Sequence, residues 1–337
     1  MDNFVHLNYA VADRSYLAIL KKEIHSLAHR TGFQGAALAE IDIITAEITS
    51  NLVKHARHGE LLVRTVSQNG TAGIEFLSID SGPGISETAI AMKDGVSTKG
   101  TLGQGLGAIK RLSDVFQLYS IPAWGSILLS RRFLKPLSAH APEPAEVRFI
   151  NVPKPSESVS GDGIFYYLTP EYLKVISLDG LGHGPDAHAA SQKAIDEFRN
   201  CPLTNAVDII RYIHPLIKRT RGAVGSVGIF SFAEKRWNIC GVGNISTRIQ
   251  NGLVAKNYMP YNGIIGLTMP STMKENLVDH TAGQLLVMMS DGIRTKLELS
   301  KYPGILKYDL SILAAAIYKD HARKTDDMSV VISKINL

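Results

Sequence analysis

Three prolines fall within residues 135–146, Lys-Pro-Leu-Ser-Ala-His-Ala-Pro-Glu-Pro-Ala-Glu, a stretch with few side chains worth burying. Proline gives up its backbone N–H and fixes φ, so such a stretch breaks helices and sheets and reads as a connector. It divides a chain of 337 residues into two halves, each the size of an ordinary domain, and one continuous core becomes improbable. The expected organisation is a first domain over 1–134, a linker over 135–146 and a second domain over 147–337.

The first half predicts a short strand at 5–10, a helix over 14–29 and an amphipathic helix over 36–57, where Leu38, Ile41, Ile48 and Leu52 recur at helical spacing. Two β-rich runs, 61–66 and 74–79, flank Asn69-Gly70, a hairpin-turn signal. A glycine-rich tract follows (Gly95, Gly100, Gly103, Gly105, Gly107), then a helix from about Leu106 and a closing strand pair. The second half predicts helices at 185–200 and 204–219, strands at 224–232, 237–240 and 285–289, and a terminal strand at 329–335. The class is α+β, with strands gathered in groups and helices layered on them.

Charge narrows the function classes. The net charge of +5 is spread along the chain with no run of five or six like charges, which argues against nucleic acid as a partner. Cys201 and Cys240 lack CxxC spacing, so neither a disulfide nor a zinc site is expected. The first ten residues carry no apolar signal core, and the longest apolar run is too short to cross a membrane. The expectation is a cytoplasmic protein without a membrane partner.

No G-x-x-x-x-G-K-[ST] occurs, so a nucleotide site of the P-loop kind is excluded. Three separated pieces offer another. Glu47 and Asn51 are four apart on one helix face, a carboxylate able to take a proton beside an amide oxygen able to coordinate Mg²⁺. Asp80 ends a strand and enters Ser81-Gly82-Pro83-Gly84, where glycine allows close approach of a ligand. Gly103-Gln104-Gly105-Leu106-Gly107 leads into a helix whose free N–H groups suit a polyphosphate. Each piece alone is commonplace: a solvated helix face, a turn, a flexible connection. In this order they resemble the Bergerat-fold ATPases, with Glu47 to Asn51 and Lys54-His55-Ala56 as the N-box and Ile79 to Ile85 and Gly103 to Leu112 as the glycine boxes.

That resemblance implies an N-terminal Bergerat-fold α/β sandwich binding ATP and Mg²⁺. By it Asp80 binds the adenine amino group, Gly82 and Gly84 shape the adenine loop, Asn51 holds Mg²⁺, Glu47 is the base, and Gly103, Gly105 and Gly107 cradle the phosphates. His25 and His29 lie in a short helix of the fold itself, which disfavours a phosphoacceptor-histidine role. The short lid and the Gly-Leu-Gly-x-x-Lys-Arg-Leu-x-Asp ending are similar to the switch kinases of the stressosome, which phosphorylate a STAS-domain protein; anti-sigma-factor kinases are close relatives.

In the second half, aspartates recur where strands start or end: Asp162 in Ser160-Gly161-Asp162-Gly163, Asp179 before Gly180-Leu181-Gly182-His183-Gly184, Asp291 before Gly292, and Asp326-Asp327 before the last strand. One Asp-Gly after a strand is a turn. Four such places suit hard divalent cations, which prefer carboxylate oxygens and can activate water toward phosphorus. With Gly222-Ala223 and Gly241-Val242-Gly243-Asn244 they resemble, in family order, the metal-dependent Ser/Thr phosphatases (PPM) of the SpoIIE and stressosome-feedback branch. The resemblance implies a PPM-type αββα sandwich with two Mn²⁺ or Mg²⁺. Asp179 would bridge them, the Gly180 carbonyl would bind one, and Asp162, Asp291 and Asp326 would complete the shell. Asp327 ranks below Asp326, and His183 is assigned a supporting role rather than that of general acid.

Together these imply a bifunctional serine/threonine kinase and phosphatase acting on a STAS-domain regulator, with an anti-sigma or sigma factor as a further partner. The alternative is an ATP-binding anti-sigma or sensor module regulating a fused phosphatase.

Overall fold

The computed structural model describes residues 4–11, 16–85, 105–137 and 143–337. The chain groups into two units, one comprising Met1–Ala141 with Gly304–Ala315, the other Pro142–Pro303 with Ala316–Leu337. The first unit is therefore discontinuous in sequence, a feature the proline-rich boundary does not announce.

In the first unit, β1 (Leu7–Ala10), β2 (Glu60–Gln68), β3 (Thr71–Asp80), β4 (Val115–Ile121) and β5 (Gly125–Phe133) form an antiparallel sheet in the order β1-β2-β3-β5-β4. Asn69 and Gly70 both take positive φ, 51° and 73°, the twist that a two-residue hairpin between β2 and β3 needs. Helices α1 (Leu17–Thr31) and α2 (Gly35–His55) cover one face. Leu20, Ile24, Ile41, Ile44, Ile48 and Leu52 pack there against Leu61, Val63, Ile74 and Phe76. Helix α3 (Gly105–Leu112) joins this core through buried Ile109. Strand alternation sends Leu62, Leu77, Ile79, Ile127 and Leu129 toward the other face, and they are buried as well.

The second unit holds two five-stranded sheets. One is ordered β13-β10-β9-β8-β7, from β7 (Asp162–Leu168), β8 (Tyr172–Gly180), β9 (Ala223–Ser231), β10 (Arg236–Val242) and β13 (Asn276–Asp279). The other is ordered β12-β11-β14-β15-β6, from β6 (Ala145–Val152), β11 (Ser246–Asn251), β12 (Val254–Tyr258), β14 (Leu285–Met289) and β15 (Met328–Ile335). They face each other: a Cβ added to Gly228 on β9 would lie 2.6 Å from Leu286 and 3.0 Å from Met288 on β14. On the outer face of the β8–β9 sheet lie α4 (Pro185–Asn200) and α5 (Ala206–Leu216), packing Phe198, Ile209 and Ile213 against Ile176, Leu178, Val227 and Ile229. One further helix, α6 (Leu310–His321), starts in the first unit and ends in the second. No helix among the described residues is long and apolar enough to cross a membrane.

Candidate functional sites

In the first unit, α2 presents Glu47 and Asn51 one turn apart, both half-buried. They face the start of α3: a Cβ added to Gly105 would lie 2.7 Å from Glu47 Oε2 and 3.4 Å from Asn51 Oδ1. A Cβ at 105 would press on the Glu47 carboxylate and come into ordinary contact with the Asn51 amide. Gly107 is buried one half-turn further along α3. Asp80 closes β3, and its Oδ1 accepts the Gly82 N–H at 2.6 Å. Ser81 N donates to Arg57 O at 2.8 Å, tying this turn to the chain leaving α2. Gly84 has φ +74°, and a Cβ there would lie 2.1 Å from the Ile121 carbonyl, so only glycine fits. The structure thus brings Glu47, Asn51 and Gly105 together and sets the Asp80–Gly82–Gly84 turn at the end of β3. Gly103, assigned to the phosphates, lies outside the described residues.

In the second unit, strand pairing does the assembly. Asp162 and Asp179 are cross-strand partners at the ends of β7 and β8, and Gly180 pairs with Ala223 on β9. Asp162 is buried and its Oδ2 has no hydrogen-bond partner. Burial pushes its carboxyl well above the ordinary range, Asp327 and Asp291 push it further, and the Ser290 and Ser329 hydroxyls oppose them. Asp179 is raised by burial first and then by Asp162, Asp291, Asp326 and Asp327. Asp291 is raised by burial and by Asp326, against Arg323 and a 2.9 Å hydrogen bond donated by Asn244 Nδ2. The carboxyls of Asp162, Asp179, Asp291 and Asp327 are all raised, first by burial and then by neighbouring aspartates, as clustered acidic groups at one end of the sandwich must be. An orphaned carboxylate oxygen and an all-oxygen donor set fit Mg²⁺ or Mn²⁺. Among the described residues, no group of three or more His, Cys, Asp and Glu side chains is already arranged to grip a metal ion.

Asp327 plays a different part from its neighbour. It is buried and accepts Lys154 N at 2.8 Å and Gly161 N at 2.9 Å, fastening the approach to Asp162. Asp326 is half-buried, and its Oδ1 accepts the Asp327 N–H. Glycine is required around them: a Cβ on Gly292 would lie 1.9 Å from the Asp327 carbonyl, and one on Gly180 2.1 Å from the Ala187 carbonyl. His183 Nδ1 stands 2.7 Å from Glu157 Oε1. Sequence reasoning gave no role to Asn244 or His188. Asn244 orients Asp291, and His188 Nδ1 lies 2.9 Å from the Ser160 carbonyl beside Asp162. Only the Gly-Val-Gly-Asn motif hinted at Asn244, and nothing in the sequence marked His188.

The geometry defines two classes on one chain, a Bergerat-type nucleotide fold and a PPM-type double sheet with clustered aspartates. Comparison with known proteins agrees. Residues 10–125 match the histidine kinase-like ATPase domain. The serine/threonine-protein kinase RsbT of Bacillus subtilis (strain 168) is 33% identical over 110 residues, which is 33% of this chain and 83% of RsbT. The phosphoserine phosphatase RsbX of the same organism is 25% identical over 141 residues, 42% of this chain and 70% of RsbX. A crystal structure of RsbX in complex with magnesium superposes with a TM-score of 0.52 at 18% identity, covering 66% of this chain and all of that one, and supports the fold of the second unit. The chain belongs to the family of RsbT through its first half, fused to an RsbX-like PPM phosphatase domain.

Proposed function

We propose that the chain both phosphorylates and dephosphorylates a serine or threonine of one STAS-domain regulator. The observation that carries this reading is the presence, on one chain, of likenesses to a serine/threonine kinase and to a phosphoserine phosphatase.

In the kinase half, Glu47 takes the proton of the substrate hydroxyl, a contribution of about 10²–10⁴-fold when a base is well placed. Asp80 would accept from the adenine amino group, Asn51 would hold Mg²⁺, and the glycines at 103, 105 and 107 would offer backbone N–H groups to the phosphates. Gly82 and Gly84 let the adenine loop lie close against the end of α2 and the Ile121–Pro122 turn. In the phosphatase half, Asp162, Asp179, Asp291, Asp326 and the Gly180 carbonyl would hold two Mn²⁺ or Mg²⁺. When bound, such ions polarise the phosphoryl group and activate water. The chain's own work is to draw its carboxylates onto the cations, with Asn244 aiming Asp291 and Asp327 fixing the Asp162 approach.

The test is steady-state phosphorylation of a STAS-domain substrate by the full chain with ATP and Mn²⁺. Asp179→Asn should raise it, and Glu47→Ala should take it to background. If the phosphatase leaves untouched the residue that the kinase modifies, the shared-substrate reading fails. If Glu47→Ala phosphorylates at the unaltered rate, the kinase assignment itself fails.

A further inference from the structure

A sheet covered by helices on one face has a second face to account for. In the first unit that face is buried and carries a row of charge. Arg64, Glu75 and Arg131 are direct partners across β2, β3 and β5. Glu75 is 1% exposed, with Arg64 Nε at 2.7 Å and Arg131 Nε at 2.6 Å. Burial alone would raise the Glu75 carboxyl, but the two guanidinium groups hold it well below the ordinary range.

The fourth member of the row comes from far along the chain. Asp309 takes both outer nitrogens of Arg131, Nη1 at 2.7 Å and Nη2 at 3.0 Å. Arg131 Nη2 also donates to Ser311 Oγ at 2.8 Å. Asp309 N donates to Gln117 Oε1 at 2.8 Å on β4, and the rings of Tyr308 and Tyr119 meet edge-on with centroids 5.2 Å apart. Two-pronged Arg–carboxylate pairs fix position and orientation together. All these groups lie within the first unit, because Gly304–Ala315 belongs to it. Asp309 also accepts the Ser311 N–H at 2.8 Å, so the residue that grips Arg131 also caps the start of α6.

Helix α6 is buried all round, from Leu310 through Ile312, Leu313, the three alanines 314–316 and Ile317 to Tyr318. We propose that residues 304–315 are an obligatory strap of the kinase unit, contributed by chain lying between two aspartates of the phosphatase site. A buried ion pair contributes little net stability but fixes registry strongly, and removing one partner leaves a costly unpaired charge. The strap therefore specifies where α6 starts. It rests on neither proposed activity.

The test is amide hydrogen exchange on the full chain, which needs no nucleotide, metal or substrate. Asp309→Ala should quicken exchange in β3 and β5 by about a hundredfold or more, together with 304–315, and leave β8 and β9 at their original rates. Quickening confined to 304–315 would overturn the proposal, since the segment would then merely rest on a self-sufficient unit. Asp309→Asn, which keeps one capping oxygen, serves where the alanine variant unfolds entirely. Uniform quickening of both units in that milder variant would also overturn it.

Discussion

In the first unit the acidic residues of the candidate site, Glu47 and Asp80, stand half-buried at the end of a helix face and of a strand, on separate elements. In the second, Asp162 and Asp179 are cross-strand neighbours, and three more aspartates raise them or each other. The contrast separates two ways of preparing a site for phosphoryl chemistry. A nucleotide brings its own charge and needs backbone N–H groups and glycines that leave room. A bare metal ion brings none of the donors, so the protein must crowd carboxylates that repel one another until cations arrive. Ligand loss should therefore be nearly silent for the first unit and felt throughout the second.

The largest effect that tests this comparison comes from the two central carboxylates. Glu47→Ala should lower phosphotransfer by about 10²–10⁴-fold while nucleotide affinity stays within roughly twofold, because a base acts on the transition state and hardly on the ground state. Asp179→Asn should instead lose the metal itself, read by Mn²⁺ titration calorimetry, and phosphatase activity with it, since a neutral amide bridges cations poorly. Equal loss of ligand in both variants would erase the distinction.

A smaller effect sharpens it. Asn244→Ala removes the hydrogen bond to Asp291 Oδ2 without removing a donor to metal, and residues of that kind cost about 10–100-fold in metal affinity or activity. Unchanged Mn²⁺ affinity in Asn244→Ala would mean that Asp291 needs no positioning.

How far the sequence reaches follows from the same contrast. Local signals were legible: the 36–57 helix face, the Asn69-Gly70 hairpin and the 185–200 helix correspond to α2, the β2–β3 turn and α4. Residues that sit next to a strand end, such as Asp179, announce themselves by Asp-Gly. Helix α6 was missed because Leu-Ser-Ile-Leu-Ala-Ala-Ala-Ile-Tyr is apolar on every side, and a helix with no polar face has no periodicity to read. The Glu75–Arg131–Asp309 row was illegible for a different reason. Its members lie 56 and 178 residues apart, and alternation explains why a charge faces away from the α1–α2 core but not what meets it. Asp327 and Asn244 sat inside recognised motifs, but only the fold shows that one fastens Lys154 and Gly161 and the other holds the Asp291 carboxylate.

The smallest predicted effect concerns pH, and here the two units should move in opposite directions. Asp162 is raised by burial to about 7 in the metal-free fold. A carboxyl raised on folding is protonated more readily in the native state than in the unfolded chain. Its contribution is complete below the ordinary Asp value and disappears as pH rises through the raised one. Glu75 is the reverse case: Arg64 and Arg131 outweigh burial and hold it low, so its contribution is present above the ordinary Glu value and disappears as pH falls. The chain has two tryptophans, Trp124 in the first unit and Trp237 in the second, so Trp124→Phe and Trp237→Phe each leave one reporter. In EDTA, between about pH 4 and pH 8, the Trp237 signal should unfold at a temperature lower by on the order of 5–10 °C at the alkaline end. The Trp124 signal should instead weaken only on the acid side of that window. Adding Mn²⁺ should abolish the alkaline loss, because cations stabilise the ionised carboxylates that burial disfavours. If both reporters shift together with the same sign, the crowded-carboxylate account of the second unit is wrong.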